Sequence, residues 1–591
     1  MAKWLIRNPK ANIEKMVKTF NISPIFATVL ANRDILTTRK LNTYLYVDDS
    51  LFLDPLHMKH MENAFIKIIE AISKNELICI YGDYDVDGVT STTILYKALK
   101  KIGANVIYYI PDREEEGYGL NIEAIDEVKQ KGADIIFTCD NGIASIEEVE
   151  YIKQNGMDII ILDHHEPRFI EEDDGTKTDI LPQADIIINP KQQDCPYTFK
   201  ALSAGGISYK FVQGLYKFME IEEDLSEYLV FASISTVCDI VDLIDENRLI
   251  VKMGLNILND NKQINKGLFE MLKANNIEEK YITETDYGFV IGPCINASGR
   301  LESALKAVKL FITDDEDLMK TLALDLVNLN NERKDLTQKA VTDILCAIED
   351  SHMQNDKVLV VYDENIHESI AGIVAGRIKE TYYKPTFVIT KAKDGAKGSG
   401  RSIPCYNMFE EMLKCSALFT KFGGHKMAAG LSILPENIDL FRQNINQNCT
   451  LTDDDLQEVI TIDKALNFEQ ITLNLAKELT KMTPIGKENK GAIFATKNVE
   501  IKNIRFVGKE KNIIQLMLAQ NNKTIKAISF NGYDKFINIL KQRLLDDEIE
   551  KLVVGIKKYV DLKLDVVYSI EVNIFNDVEN VQLILKDFRI A

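Results

Sequence analysis

The chain has 591 residues, 46% hydrophobic and 27% charged, the make-up of soluble globular protein rather than of a disordered chain or a membrane span. At roughly 150 residues per domain this length predicts about three to five domains. Lys and Arg number 70 against 90 Asp and Glu, a formal charge of −20 that disfavours a uniformly basic, nucleic-acid-coating surface. Charge is unevenly spread, however: residues 351–434 hold 11 Lys and Arg against 8 Asp and Glu, a place for an anionic ligand. No apolar run approaches the roughly 20 residues of a membrane helix, and the start MAKWLIRNPKANIEK has no signal-peptide apolar stretch. The nine cysteines form no CxxC pair. The expectation is a cytoplasmic protein without membrane association, disulfide framework or structural zinc.

Residues 1–75 read as a helical amino-terminal region, with apolar residues near helical spacing in IEKMVKTF and MENAFIKIIEAI. From 76 to about 190 strand-length apolar runs (LICIYG, NVIYYI, ADIIFTC, DIIILD, ADIIIN) alternate with helical patterns. That alternation predicts a parallel sheet covered on both faces, with ligands beyond the carboxyl ends of its strands. Residues 200–310 look mainly helical. The stretch 312–350 holds no Gly or Pro and predicts a long connecting helix. A second α/β texture starts at KVLVVYD and runs to about 435. Residues 495–591 read as short strands of a small barrel with a helical insert near DKFINILKQRL.

Three of the five strands in the first sheet end in carboxylates. DYDVDG places Asp83, Asp85 and Asp87 after the first, Asp140 of DNG follows the third, and Asp163, His164 and His165 follow the fourth. Parallel strands bring these ends to one edge, where carboxylates repel one another and burial adds to the cost. A divalent cation relieves that conflict. Carboxylates with imidazole suit Mn²⁺, or Mg²⁺ where oxygen dominates. Adjacent residues on an extended segment point oppositely, so one histidine is expected to ligate and the other to face substrate. A single strand-end aspartate is more often a turn former or helix cap; three such motifs on one sheet edge are not.

These motifs resemble the DHH phosphoesterase superfamily, named for the triplet at 163–165, and within it the RecJ family of single-stranded-DNA exonucleases. GDYDVDGVTST, PDREEEGYGL, TCDNGI, LDHHE, STVCDIVDL, GPCINASGRL, KGSGRSI and FGGHKMAAG follow that family's order over nearly the whole chain. The resemblance implies an α/β chain with two α/β lobes, a DHH catalytic domain (76–310) and a DHH-associated domain (351–455). A helix (311–350) joins the lobes, and an OB-fold-like barrel with a carboxyl-terminal extension fills 456–591. It further implies metal binding by Asp83, Asp85, Asp87, Asp140, His164 and Asp239, catalytic roles for His165 and Asp140, and two cations, Mn²⁺ or Mg²⁺, bridged by Asp140 for phosphodiester hydrolysis. The family often carries His where Tyr81 stands, and a phenol with a pKa of about 10 is a poor ligand. Weaker ion binding or a water in its place is expected there.

For strand binding the resemblance implies Arg113, Tyr118, Arg300, Arg377, Ser399, Arg401 and His425, with Lys397, Ser402 and Lys426 beside them. A family aromatic is replaced by Ile366, and the Phe-Gly of the barrel's entry motif by Ile485-Gly486. The implied activity is 5′-to-3′ degradation of single-stranded DNA to nucleoside 5′-monophosphates in repair and recombination. A cleft too narrow for duplex would select the unpaired strand, and a single-strand-binding protein and a RecQ-type helicase would be partners of a monomer. The competing readings are a DHH phosphodiesterase acting on short oligonucleotides or cyclic dinucleotides, and a non-catalytic DNA-binding scaffold.

Overall fold

The computed structural model describes residues 2–171, 177–508 and 510–591. The chain forms two compact units, one of residues 48–456 and one of residues 1–47 together with 457–591.

The larger unit opens on a five-stranded, all-parallel sheet in the order Asn105–Tyr109, Leu77–Tyr81, Ile135–Cys139, Asp158–Leu162, Ile186–Ile188. Its strands are near-continuous runs of Ile, Val and Leu because both faces are covered. Helices Val86–Lys101 and Ala204–Phe218 pack on one face through Val89, Leu95, Phe211 and Leu215, and helices Ile122–Gln130 and Ile146–Gln154 on the other through Ile125, Val128, Val149 and Ile152. The chain runs from Leu77–Tyr81 outward to Asn105–Tyr109, then returns to the opposite neighbour, Ile135–Cys139. The crevice beyond these strand ends is the topological switch point, where open α/β sheets bind ligands, and Asp83, Asp85, Asp87 and Asp140 emerge there.

Helix Glu316–Asp350 has 35 residues and is about 50 Å long. Its first half buries Met319, Leu322 and Leu326 in the core of the first lobe, and its second half buries Ala340, Ile344 and Ile348 in the second. The second lobe is a five-stranded mixed sheet ordered Phe419–Gly424, Ala428–Ile433, Gly395–Arg401, Thr386–Ala392, Leu359–Tyr362, with helices Ala371–Tyr382 and Ile438–Asn448 on its two faces.

In the smaller unit five strands close a barrel: Phe494–Val507, Ile513–Gln520, Lys523–Ser529, Val578–Ile590 and Lys563–Phe575, the last pairing back onto the first. Helices Tyr533–Lys541 and Asp546–Val553 are the insert expected there. The stretch 1–75, read from sequence as one helical region, divides between the units. Residues 48–75 pack with the parallel sheet, whereas Phe26, Val29 and Leu30 share a core with Phe468, Phe494 and Tyr568. The amino-terminal piece also contains a strand, Lys3–Ile6, parallel to Val459–Ile462. Four residues without alternation carry too little pattern to show it. Among the described residues no helix is long and apolar enough to cross a membrane, and all nine cysteines are free, six of them buried.

Candidate active site

Local chain chemistry fixes each acid. Asp85 caps helix Val86–Lys101, accepting from the Asp87 and Gly88 amides at 2.8 and 3.1 Å. A side chain at Gly88 would press into the Asp83 backbone, so this tight strand-to-helix turn requires glycine. Asp87 is gripped from across the lobe. Its carboxylate accepts from the Ala204 and Gly205 amides at the start of helix Ala204–Phe218, both at 2.8 Å, and from the Ser235 hydroxyl. Asp140 ends strand Ile135–Cys139 with φ +67°, a left-handed conformation that aspartate tolerates and β-branched residues do not. Asp239 caps the end of helix Ser226–Cys238, the element that brings it in from outside the sheet.

Three groups of ligand atoms result, each within 4.8 Å: Asp83, Asp85 and Asp140; Asp87, His164 and Asp239; and Asp140, His164 and His165. Asp140 stands in the first and the last of these. His164 Nε2 lies 3.1 Å from Asp140 and 3.5 Å from Asp87, and its Nδ1 lies 3.7 Å from Asp239. Burial, reinforced by the neighbouring carboxylates, holds Asp83, Asp140 and Asp239 well above the usual carboxylate range and raises Asp85 too. Asp83 Oδ1 is buried with no hydrogen-bond partner. A crowded, partly unsatisfied set of carboxylate oxygens with one imidazole is what a pair of Mn²⁺ or Mg²⁺ ions would occupy, and the residues fit that pair.

Asp163 behaves differently from the other strand-end acids. It is fully buried, accepting from the Ile143 amide (3.0 Å), the His164 amide (2.7 Å), the His165 amide (3.1 Å) and His165 Nδ1 (2.7 Å). Burial alone would raise its pKa, but the charge and hydrogen bond of His165, with His164 and the Ile143 amide, pull it down to about 2. It orients the two histidines and joins none of the ligand groups. His165 is lowered by burial and lifted more strongly by Asp163, Asp239 and Asp87, reaching about 9. Its ring is partly exposed and meets Tyr118 edge-on at 5.8 Å. The Tyr118 hydroxyl donates to the Asp140 carbonyl at 3.0 Å, leaving a ring that is 55% exposed beside the acids.

A cleft of about 640 Å³ opens between the two lobes of the larger unit, lined by Arg113, Tyr84 and Tyr118 on one side and Lys397, Ser399, Lys421 and Phe422 on the other. Arg113 lies over the Tyr84 ring at 4.9 Å. Arg300 reaches across the lobes to donate to the Ser369 carbonyl at 2.6 Å. The Arg401 guanidinium packs over Gly372, where a Cβ would stand 2.6 Å from it. Burial and the repulsion of Arg113 push Arg401 down, and burial with Arg113 and Arg333 pushes Arg300 down to about 10. Such a concentration of cations calls for an anion.

Arg377 and His425 stand outside this lining. Arg377 is on the exposed face of helix Ala371–Tyr382, 3.7 Å from Glu380, and His425 is exposed in the turn before Ala428. Two departures from the family pattern have structural explanations. Tyr81 points into the core on the far face of the sheet, stacked on Tyr109 at 5.2 Å with its hydroxyl donating to the Gly119 carbonyl, so it is not positioned to touch an ion. Ile366 is buried in the second lobe's core and offers no aromatic face to the cleft. Sequence reasoning missed Tyr84, Lys421 and Phe422. The first sits inside the DYDVDG motif, and the last two immediately precede the glycines of FGGHK, signals that were available.

The profile described as the DHH family, N-terminal domain, matches residues 77–235, the DHHA1 domain matches 355–450, and the RecJ OB domain matches 462–587. The single-stranded-DNA-specific exonuclease RecJ of Bacillus subtilis is 32% identical over 594 aligned positions, covering 100% of this chain and 71% of that protein. That of Escherichia coli is 31% identical, covering 72% of this chain and 76% of its own. Among solved structures, RecJ of Thermus thermophilus in complex with Mn²⁺ superposes with a TM-score of 0.79 at 23% identity, covering 99% of this chain and 79% of that one. An exonuclease RecJ bound to manganese gives 0.58 at 28% identity, covering 68% of this chain and 98% of that one. The matched domains define a DHH-family protein with a DHHA1 domain. The chain belongs to the RecJ family of single-stranded-DNA-specific exonucleases.

Proposed function

We propose that this chain is a metal-dependent exodeoxyribonuclease that hydrolyses single-stranded DNA from the 5′ end, releasing nucleoside 5′-monophosphates during repair and recombination. The observation that carries this reading is the pairing of two ligand clusters at Asp140 with a cation-lined cleft between the lobes. Bound at those clusters, two divalent cations would neutralise the phosphate and favour both the entering and the leaving oxygen. The protein does the rest. Arg113, Arg300 and Arg401 draw the backbone in and set its register, and the exposed Tyr118 ring offers a base a stacking face. Asp163 holds His165 through Nδ1, and the Nε2–H of the protonated ring, 3.4 Å from the Tyr118 hydroxyl, would exchange that contact for a phosphate oxygen. Ser399 and Lys397 line the opposite wall; Arg377 and His425, outside it, would meet a longer strand.

Selection for an unpaired strand would follow if the cleft bounded by the two lobes and bridged by Arg300 and Ser369 is too narrow for a B-form duplex. A single-strand-binding protein, a RecQ-type helicase, a monomeric state and a cytoplasmic location complete the proposal. The test is an end-labelled oligomer series, single-stranded and duplex, with Mn²⁺ or Mg²⁺ and products resolved by size. Mononucleotides released from long single strands with the 5′ end consumed first are expected. Preference for dinucleotides, or for duplex, would overturn the reading.

A further inference from the structure

Strand Ile186–Ile188 runs parallel to Asp158–Leu162 and leaves the sheet at the edge where the acids gather. The turn after it, Asn189-Pro190-Lys191-Gln192, is clamped to the histidine segment. Asn189 is fully buried; it donates to the His165 carbonyl at 2.9 Å and accepts from the Lys191 amide at 2.8 Å. Gln192, also buried, donates to the Ile187 and Asn189 carbonyls. The Lys191 backbone is thereby fixed relative to His165. Its ammonium lies 3.1 Å from Glu166, the residue directly after the triplet, and is close enough to act electrostatically on both His164 and Asp239.

Two features make this placement informative. The Lys191 side chain is 23% exposed while its partner Glu166 is 73% exposed, so the pair is a weak surface contact that an anionic phosphate oxygen can displace. A fixed cation beside His164 and Asp239 also opposes cation binding there, an arrangement that is unfavourable unless an anion comes to lie between them. Arg113, by contrast, acts on the opposite end of the cluster at Asp83. The acids are therefore flanked by cations on two sides, and only one side is accounted for by the cleft.

We infer that Lys191 is a phosphate-contacting residue: its ammonium leaves Glu166 to hold a non-bridging oxygen of the phosphate under attack, and keeps it on the nucleoside monophosphate until release. This rests on the exonuclease reading above. The step is electrostatic; no bond to Lys191 forms or breaks.

The experiment measures steady-state hydrolysis of a 5′-labelled single strand over a Mn²⁺ series for wild type, Lys191→Gln, Lys191→Arg and Glu166→Gln, with inhibition by added nucleoside 5′-monophosphate. Lys191→Gln is expected to lower kcat roughly ten- to a hundredfold, somewhat less than loss of a fully buried donor to a developing oxyanion. It should also weaken product inhibition, leave KM for DNA unchanged and the half-saturating Mn²⁺ concentration no higher than in wild type, and be largely rescued by Lys191→Arg. Glu166→Gln should lose far less than Lys191→Gln. The inference fails if Lys191→Gln keeps its kcat, if a shifted Mn²⁺ dependence explains the loss, or if Glu166→Gln falls equally, which would mark a fold contact. An inactive wild-type chain would overturn the exonuclease reading itself, a result distinct from all of these.

Discussion

Replacing Asp163 by asparagine changes one charge and almost no volume, and the hydrogen bonds around it set the size of the effect. Asp163 Oδ1 accepts from three N–H groups and Oδ2 from one, the Ile143 amide at 3.0 Å. An asparagine has one acceptor oxygen, so in either orientation its amide nitrogen must face a buried N–H. An unsatisfied buried donor costs about 1–3 kcal/mol, and loss of the charged bond to His165 about 1.5–3 more, giving roughly 2.5–6 kcal/mol of destabilisation. The depression of the Asp163 pKa from 3.8 to about 2 carries the same sign. Its contribution is present above about pH 4 and is lost as pH falls towards 2, so the gap between wild type and variant should close in acid. Activity has its own signature. Without Asp163, His165 drops from about 9 towards 6.5. At pH 8 its protonated fraction would fall from about nine-tenths to a few hundredths, and the loss would be much smaller at pH 6. Urea unfolding of the metal-free protein and kcat from pH 6 to 9 measure the two effects. A variant of wild-type stability, or one whose activity loss is the same at every pH, would refute the assigned role of Asp163.

The same geometry sets other outcomes. Asp140→Asn keeps a residue tolerated at φ +67° and removes a carboxylate from a crowded cluster. It should leave the metal-free protein at least as stable by thermal melting, yet abolish both cleavage and Mn²⁺-induced stabilisation. Tyr118→Ala should weaken binding of short single strands about five- to a hundredfold in fluorescence anisotropy, the worth of one stacked base, while Tyr118→Phe keeps most of the affinity. Trp4 is the sole tryptophan, donating to Asp587 at 2.8 Å with Arg589 over its ring. Asp587→Ala should red-shift the intrinsic emission and lower stability of the barrel unit by about 1–3 kcal/mol.

How much of this could be read in the chain depends on what kind of constraint each residue obeys. The parallel sheet was legible because strands buried on both faces must be continuously apolar, and the acids were legible because they come directly after those strands. Asp163 shares that position with Asp140, and nothing in the local pattern distinguishes an acid that ligates from one that spends its oxygens on four N–H donors. The difference lies in the Ile143 amide, 20 residues away in the chain. Asp239 reads as an ordinary helix-end acid because a different part of the fold carries it in, and only the family likeness singled it out. Tyr81 looked like a lost ligand, but strand alternation sends its ring to the far face. The division of residues 1–75 was hidden because helical patterns announce that they pack, not against what; the partners of residues 1–47 lie more than 400 residues further on, those of residues 48–75 in the sheet that follows.

Two cations on clusters that share Asp140 are the centre of the proposed chemistry, and anomalous diffraction at the manganese edge from crystals soaked in Mn²⁺ tests them most directly. Two peaks about 3.5–4 Å apart are predicted, one against Asp83, Asp85 and Asp140, the other against Asp87, Asp140, His164 and Asp239, with Asp163 touching neither. A single peak, peaks that leave Asp140 uncoordinated, or an ion bound to Asp163 would contradict it.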